Sequence, residues 1–426
     1  SLMATIGGAD DYFRIGQNLF LGNGFSADIQ APFSASVLRP PLYPFLIAGA
    51  NFLFRTYWAF LVIQVFISSL IPVLGYKLAK KIINSERVSF LAGLFLALEP
   101  HGAALSYVFM TETVFIFLFF LCLNYLFEYL GNYELKNLSL ASLFLGLTVL
   151  TRPVAQFLPF IIGLFILWHF RKNIKIALGH ILLLTVVFVL VISPWLYRNY
   201  RVYKTLGLTS QTAYNFYTYL VPSVLSIEHN TPYAEEKEKI LEPLRFDNDV
   251  ITLANSTLFL QAGWEMIKKY PGSMLESLAI TVATFFSHDK GAVTILDYLG
   301  ISSDYHFPGL AVKTLFKSPV SFLMSLKQML ADGGLPLFFI IAARLFWIMI
   351  AGLFLLGIVR LYKDSEKKLT SRQLISIFLV FYFAFVSAIN GLGINARFRL
   401  PVEMFIFVFA VYFVFGYARA TIRSPK

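Results

Sequence analysis

Two adjacent carboxylates stand near the start of the chain, in a segment that also carries aromatic and basic side chains. Asp10 and Asp11 precede Tyr12, and Arg39-Pro40-Pro41-Leu42-Tyr43-Pro44 closes the same segment. A carboxylate in such a loop can act as a general base or as a metal ligand. An ordinary solvated loop, with one carboxylate capping a helix, would explain the same residues. Both interpretations stay open at this point.

A second group of ionisable residues lies between two apolar segments, in Glu99-Pro100-His101 and Met110-Thr111-Glu112. Glu112 opens a strongly apolar helix, where a charge is costly unless function or pairing requires it. Helix capping by Thr111 and Glu112 explains the pattern about as well as chemistry does. A lone histidine such as His101 more often hydrogen-bonds locally than binds a metal.

Arginines recur in three further segments that are otherwise largely apolar. Arg is the preferred bidentate partner of phosphate, so several guanidinium groups on one membrane face would suit a lipid phosphate or diphosphate. Snorkelling of individual arginines to the membrane interface is the alternative. The segments are Thr151-Arg152-Pro153, Pro194-Trp195-Leu196-Tyr197-Arg198-Asn199-Tyr200-Arg201 and Asn395-Ala396-Arg397-Phe398-Arg399-Leu400-Pro401.

The elements that must position these residues are membrane helices. The chain has 426 residues, of which 58% are hydrophobic and only 14% charged, whereas roughly a quarter of the residues in a soluble domain are charged. This composition excludes a soluble globular enzyme. Apolar runs near the ~20 residues that cross a bilayer predict an all-α, polytopic helical membrane protein with about nine spans. The runs are 57–76, 88–100, 107–130, 138–151, 154–170, 176–195, 338–361, 373–392 and 401–418.

The charge distribution predicts the orientation of these spans. A net charge of +11 would suggest a nucleic-acid partner in a soluble protein. Here the basic residues collect at every second junction between spans, which is typical of cytoplasmic loops. We therefore expect membrane lipids and no nucleic acid as partners, and a cytoplasmic C-terminus. The other junctions, which hold the residues named above, are predicted to face outward.

This topology divides the chain into four predicted regions. They are an outward first loop with an interfacial helix (1–56), an N-terminal transmembrane bundle (57–195), an outward, mainly helical domain (196–336), and C-terminal transmembrane helices with a cytoplasmic tail (337–426). The outer domain contains the charged stretch Glu235-Glu236-Lys237-Glu238-Lys239 and amphipathic pieces, which is typical of helices on a membrane surface. An outward N-terminus needs something to translocate it, so we expect a first transmembrane helix to be missing from this sequence, with a native leaderless start as the alternative.

The motifs follow one another in an order, and lie on one predicted side of the membrane, that resemble the GT-C superfamily of polyprenyl-phosphate-sugar-dependent glycosyltransferases. Within it they look most like the protein-mannosyltransferase-like and aminoarabinose-transferase-like enzymes of bacteria and archaea. The resemblance covers nearly the whole chain. The motifs that carry it are the first acidic loop, Gly22-Asn23-Gly24-Phe25-Ser26, Arg39-Pro40-Pro41-Leu42-Tyr43-Pro44, Thr111-Glu112, Leu150-Thr151-Arg152-Pro153, Pro194-Trp195-Leu196-Tyr197-Arg198-Asn199, Trp264-Glu265-Met266-Ile267-Lys268-Lys269-Tyr270-Pro271 and Arg397-Phe398-Arg399-Leu400-Pro401.

The resemblance implies that a sugar is moved from a polyprenyl-phosphate donor to a lipid, glycan or protein acceptor on the outer face of a prokaryotic plasma membrane. It implies a first-loop aspartate as general base. Family members often carry this residue about four positions before the loop tyrosine, where this chain has Gly8, so the candidates are Asp10 and, slightly less favoured, Asp11.

The same resemblance implies two further sets of residues. Arg152, Arg198, Arg397 and Arg399 would bind the donor phosphate. Some relatives bind a divalent cation, but no spacing here assigns ligands, so the metal stays open and no cofactor is assigned. The residues with supporting roles would be Tyr12, Arg39, Tyr43, His101, Glu112 and Asn199.

A transporter or flippase of a lipid-linked or anionic substrate is the alternative function. It would place ionisable residues at mid-membrane depth, whereas the polar residues of this chain gather at the outward ends of the apolar runs. This contrast favours the glycosyltransferase.

Overall fold

The fold is helical throughout the part of the chain that the computed structural model describes, namely residues 10–244, 251–288, 292, 295–296, 318–392 and 395–416. The predicted all-α, polytopic membrane architecture is confirmed. In chain order the helices are α1 (Tyr12–Leu21), α2 (Leu42–Phe54), α3 (Trp58–Ile83), α4 (Glu86–Leu98), α5 (Pro100–Leu105), α6 (Glu112–Asn132), α7 (Leu135–Thr151), α8 (Leu158–His169), α9 (Ile174–Tyr203), α10 (Gln211–Asn215), α11 (Val221–His229), α12 (Tyr233–Leu241), α13 (Ser256–Ile267), α14 (Pro271–Ser287), α15 (Pro319–Asp364), α16 (Ser371–Ile389), α17 (Asn395–Arg399) and α18 (Glu403–Phe415).

Six helical segments in these ranges are long and apolar enough to cross a membrane. They are α3, α6, α9, the Phe338–Asp364 part of α15, α16 and the segment Arg397–Phe415, which joins α17 to α18 through a short 3₁₀ turn. The other three predicted spans coincide with the shorter helices α4, α7 and α8, of 13, 17 and 12 residues. Each predicted run is therefore helical, but length qualifies six of them as full spans.

Helix α6 and the final segment form the centre of the bundle. In α6 and in Arg397–Phe415, 67% of the most apolar part of the helix is buried. In α3, α9 and α15 the buried share is 22%. A helix that is apolar on every side must be surrounded by other helices or by lipid. The first two are therefore enclosed by protein, and the last three present much of their surface to lipid.

The first loop folds into two helices that pack closely at one end of the bundle. A Cβ atom at Gly16 of α1 would lie 2.7 Å from Ile47 Cγ2 of α2, so only glycine permits this approach. Tyr12, Tyr43 and Ile47 are buried at this contact and pack with Phe60 of α3. Because α1 starts at Tyr12, this packing fixes the position of the residues just before it.

The outer helices α10 to α14 pack around their own small apolar cluster, which includes Val221, Val224 and Ile267. A π-helical turn, Phe216–Leu220, joins α10 to α11. Helix α9 continues to Tyr203 with Pro194 inside it, so the predicted boundary between residues 195 and 196 falls within a helix. The four-region division stays a prediction, and residues 417–426 of the predicted cytoplasmic tail lie outside the described ranges.

Candidate active site

Five charged side chains from distant parts of the sequence meet at one end of the bundle. This carboxylate–arginine cluster consists of Asp10, Arg39, Glu112, Arg152 and Arg397. Arg397 contacts Asp10 Oδ2 through Nη2 at 2.8 Å and Glu112 Oε1 through Nε. Arg152 Nη1 lies 2.5 Å from the same Glu112 oxygen, and Arg39 Nη2 lies 3.4 Å from Asp10 Oδ1. The cluster thus joins two carboxylates through one shared guanidinium.

Each member of the cluster stands at the end of a helix. Glu112 is the first residue of α6, where the helix dipole favours a negative charge. Arg152 directly follows α7, and Pro153 prevents the helix from continuing in the same geometry. Asp10 and Arg39 precede α1 and α2, and Arg397 lies in the short helix α17. Rigid helices therefore hold the charged groups in place.

The two carboxylates differ in their access to the outside. The Glu112 side chain is 2% exposed and that of Asp10 is 21% exposed. Burial acts to raise the pKa of Asp10, but the charges of Arg397 and Arg39 outweigh it and hold the pKa below the usual aspartate value. Asp10 is therefore an ionised, accessible carboxylate, whereas Glu112 is an enclosed one.

Two buried polar atoms of the cluster have no hydrogen-bond partner among the described residues. They are Oε2 of Glu112 and Nε of Arg39. Buried polar atoms are almost always paired, and exceptions often mark sites that take a ligand or water. The cluster therefore retains the capacity to bind a polar group.

The two candidate bases point in different directions. Asp11 has a left-handed backbone, with φ of 59°, directly before α1. Its side chain is 36% exposed and lies 3.5 Å from Arg14, which is also exposed. The turn at Asp11 thus leaves Asp10 in the cluster and Asp11 outside it.

Two tyrosines with predicted supporting roles, Tyr12 and Tyr43, pack next to Arg39. The Arg39 guanidinium lies 5.4 Å from the centre of the Tyr12 ring, which packs edge-on against Tyr43 at 5.6 Å. The Tyr43 hydroxyl donates a 2.6 Å hydrogen bond to Gln64, whose amide donates to the carbonyls of Leu105, Ser106 and Val108. Gln64 was missed at the sequence level, where its one signal is a polar residue inside an apolar run.

The described residues do not fit a metal site. Within those ranges, no group of three or more His, Cys, Asp or Glu side chains could hold an ion. Asp10 and Glu112 share the guanidinium of Arg397, which supplies the positive charge between them. His101 is buried in α5, where its backbone N–H donates to the capping Glu99. No catalytic step is therefore assigned to a metal.

The predicted residues Arg198 and Asn199 lie outside the cluster and brace the first loop. Arg198 donates to the Ser36 carbonyl at 3.0 Å and stacks 4.8 Å from the centre of the Trp195 ring. Asn199 is fully buried and donates to the carbonyls of Gly207 and Leu208 at 2.8 and 3.1 Å. These contacts connect both residues to neighbouring loops, and the role of Arg198 on the donor phosphate stays a prediction.

Arg399 has contacts different from those of the cluster. Its side chain is 1% exposed and pairs with Glu403 at 2.9 Å, one helical turn away. It also donates to the Phe285 carbonyl at 2.7 Å and lies 3.5 Å from the centre of the Trp347 ring. These contacts enclose the guanidinium in the protein interior, and the role of Arg399 on the donor phosphate stays a prediction.

Comparison with known proteins gives one sequence match and a set of structural ones. Residues 38–197 match the family described as dolichyl-phosphate-mannose-protein mannosyltransferase. This part holds Arg39, Glu112 and Arg152 but ends before Arg397. No curated protein matches the sequence.

The structural matches have low sequence identity. The oligosaccharyltransferase of Archaeoglobus fulgidus in its apo form has a TM-score of 0.50 and 14% identity, over 96% of this chain and 47% of that one. ArnT from Cupriavidus metallidurans bound to undecaprenyl phosphate has a TM-score of 0.40 and 12% identity, over 96% and 73%. The chain thus spans about half the length of the oligosaccharyltransferase, and the likeness concerns the fold alone.

Residues 38–197 therefore match the dolichyl-phosphate-mannose-protein mannosyltransferase pattern, and the fold of this membrane chain is similar to that of the Archaeoglobus fulgidus oligosaccharyltransferase, in agreement with the predicted resemblance.

Proposed function

We propose that the protein transfers a sugar from a polyprenyl-phosphate donor to an acceptor on the outer face of the membrane. The carboxylate–arginine cluster is the observation that carries this proposal, because it combines an accessible ionised carboxylate with guanidinium groups at one end of the membrane helices. The donor class is supported by the matching family, whose description includes dolichyl phosphate, a polyprenyl phosphate.

Asp10 is the proposed general base. Its carboxylate accepts the proton of an acceptor hydroxyl or amine while the acceptor atom forms a bond to the anomeric carbon. The bond from that carbon to the phosphate oxygen breaks, and the lipid phosphate leaves with the electron pair. Such a direct displacement inverts the anomeric configuration. Glu112 stays enclosed and holds Arg152 and Arg397 in place.

The proposed orientation rests on the basic residues at the opposite end of the helices. Lys80 and Lys81 close α3, and Arg171 and Lys172 lie between α8 and α9. Basic residues of this kind mark the cytoplasmic side. The cluster would then face outward, with the C-terminus in the cytoplasm.

The test compares the two adjacent aspartates. Purified protein is given a panel of polyprenyl-phosphate hexoses and pentoses with acceptor lipids, glycans and peptides, and released polyprenyl phosphate is measured. Asp10→Asn should reduce the transfer rate by about 10²-fold or more, since a general base contributes roughly 10²–10⁴-fold. Asp11→Asn is the matched control and should transfer at close to the normal rate.

Two outcomes would contradict the proposal. Equal transfer by the Asp10→Asn protein would remove Asp10 as the base. Movement of a lipid-linked substrate across a vesicle membrane, with no sugar transferred, would favour the transporter. Against that alternative, the two charged residues of the enclosed helix α6, Glu112 and Glu128, stand near its ends.

A further inference from the structure

The arginines of the cluster are already paired with carboxylates. Arg39, Arg152 and Arg397 contact Asp10 or Glu112, so three positive charges face two negative ones. A phosphate monoester carries about −1.5 to −2 charge at neutral pH. A lipid phosphate that binds beside ionised Asp10 therefore carries more negative charge than the one positive charge that the cluster has in excess.

A group of aromatic and basic side chains from the outer helices supplies such a charge. This tyrosine–lysine shelf consists of Tyr214, Tyr219, Tyr233 and Lys237. The Lys237 ammonium lies 3.9 Å from the centre of the Tyr219 ring and 5.9 Å from that of Tyr233. The rings of Tyr214 and Tyr219 are 6.2 Å apart. The shelf thus brings three phenols and one ammonium together.

The polar groups of the shelf are available for a ligand. In the described parts of the chain, no carboxylate pairs with Lys237, whereas Lys239 on the same helix contacts Glu235 and Glu236 at 2.9 and 3.0 Å. The buried Tyr233 hydroxyl has no hydrogen-bond partner there either. A half-buried ammonium beside an unpaired phenol is suited to an anionic oxygen group.

The shelf lies close to the cluster. A Cβ atom at Gly391 would lie 2.5 Å from the carbonyl oxygen of Tyr219, so the shelf packs directly against the segment that leads to Arg397. A hydrogen bond also joins the outer helices to this segment. The Asn215 amide donates to the side-chain oxygen of Asn390 at 2.7 Å.

We infer that the shelf binds the phosphate of the lipid-linked donor, with Lys237 as its unpaired cation. This inference rests on the proposed function. It adds Lys237 to the four arginines that were predicted to bind the donor phosphate. The Lys237 ammonium then stabilises the negative charge of the bound phosphate.

A binding experiment without sugar transfer tests it. The probe is C55 polyprenyl phosphate, titrated into the protein in zwitterionic nanodiscs. Lys237→Gln should weaken binding about tenfold or more, as expected for the loss of a charge-assisted contact. Lys237→Arg should restore most of the affinity. Lys239→Gln, on the same helix, is the matched control and should bind within about twofold of normal.

The outcomes separate this inference from the proposed function. If the unaltered protein binds the probe and the Lys237→Gln protein binds it equally well, the shelf inference fails and the proposed function stands. If Lys237→Gln raises KM for the acceptor alone, the shelf serves an anion on the acceptor, and the inference about the donor is wrong. If the unaltered protein does not bind the probe, the proposed donor class fails as well.

Discussion

Arg397 and Arg399 are two positions apart, yet they occupy opposite kinds of environment. Arg397 reaches across the fold to Asp10 and Glu112, which are distant in sequence. Arg399 pairs with Glu403 one turn later and is enclosed by Phe285 and the Trp347 ring. Glu112 contacts Arg397 through Oε1, and its other oxygen, Oε2, has no hydrogen-bond partner among the described residues.

This difference separates a site from a scaffold. A local i,i+4 pair can form within one helix and needs no other part of the chain. A pair that joins remote segments forms only when the fold brings separate helix ends together, as it does for Arg397 with Asp10 and Glu112. In this protein the long-range arginine therefore belongs to the candidate active site, and the local one belongs to the core.

The largest expected effect is on transfer after the change Arg397→Met. The loss of the shared guanidinium leaves Asp10 and Glu112 facing each other with less compensating charge. We expect the transfer rate to fall by about 10²-fold or more, in line with the loss of preorganised electrostatic stabilisation. The measurement is the release of polyprenyl phosphate per folded molecule, with folding checked by size-exclusion chromatography.

The control for this prediction is the local pair. Arg399→Met alone leaves Glu403 as an uncompensated buried charge, which costs about 3–5 kcal/mol of stability. Arg399→Met combined with Glu403→Leu should recover most of that loss, because apolar residues can replace a buried ion pair. Transfer per folded molecule should stay near normal in the double variant. A rate as low as that of Arg397→Met would show that the two arginines do not differ in role.

A smaller effect is expected on the acid side of the pH profile. The pKa of Asp10 is held below its usual value by Arg397 and Arg39, so the base stays ionised to a lower pH than an ordinary aspartate does. Arg39→Met removes one of the charges that lower this pKa. The acid limb of kcat/KM should then move to higher pH, because Asp10 binds its proton more readily.

Arg14→Met provides the comparison for the pH experiment. Arg14 lies against Asp11 on the exposed side of the turn. Its removal should leave the acid limb where it is. A shift of equal size in both variants would mean that Asp10 is not the group that titrates.

The smallest expected effect is a loss of stability after the change Asn199→Ala. Asn199→Ala removes two hydrogen bonds to the carbonyls of Gly207 and Leu208. Leaving buried carbonyls unpaired costs about 1–3 kcal/mol. Thermal unfolding should show a lower Tm, while KM for the donor changes by less than about twofold, since a structural role predicts no selective loss of donor binding. A large rise in KM with an unchanged Tm would place Asn199 on the substrate.

The sequence predicted the helices and the side on which polar residues gather, because apolar run length and charge placement are local properties. It named all five residues of the cluster but could not separate them from Arg198 and Arg399. To distinguish the cluster residues from the other candidates, one must know which helix ends meet and that the backbone at Asp11 is left-handed. A short sequence motif contains neither kind of information. The shelf tyrosines were missed for the same reason, since Tyr219 and Tyr233 carry no pattern that distinguishes them from other aromatic residues in an apolar chain.

The outer helices are attached to the segment before Arg397, and this attachment bears on substrate binding. Asn215 holds Asn390, and the Ser223 hydroxyl accepts a 2.8 Å hydrogen bond from the Leu392 N–H. An acceptor that displaces these outer helices would pull on the segment that carries the shared guanidinium. We therefore expect the two substrates to affect each other's binding, so that occupancy of one site changes the apparent affinity of the other by the same factor in both directions.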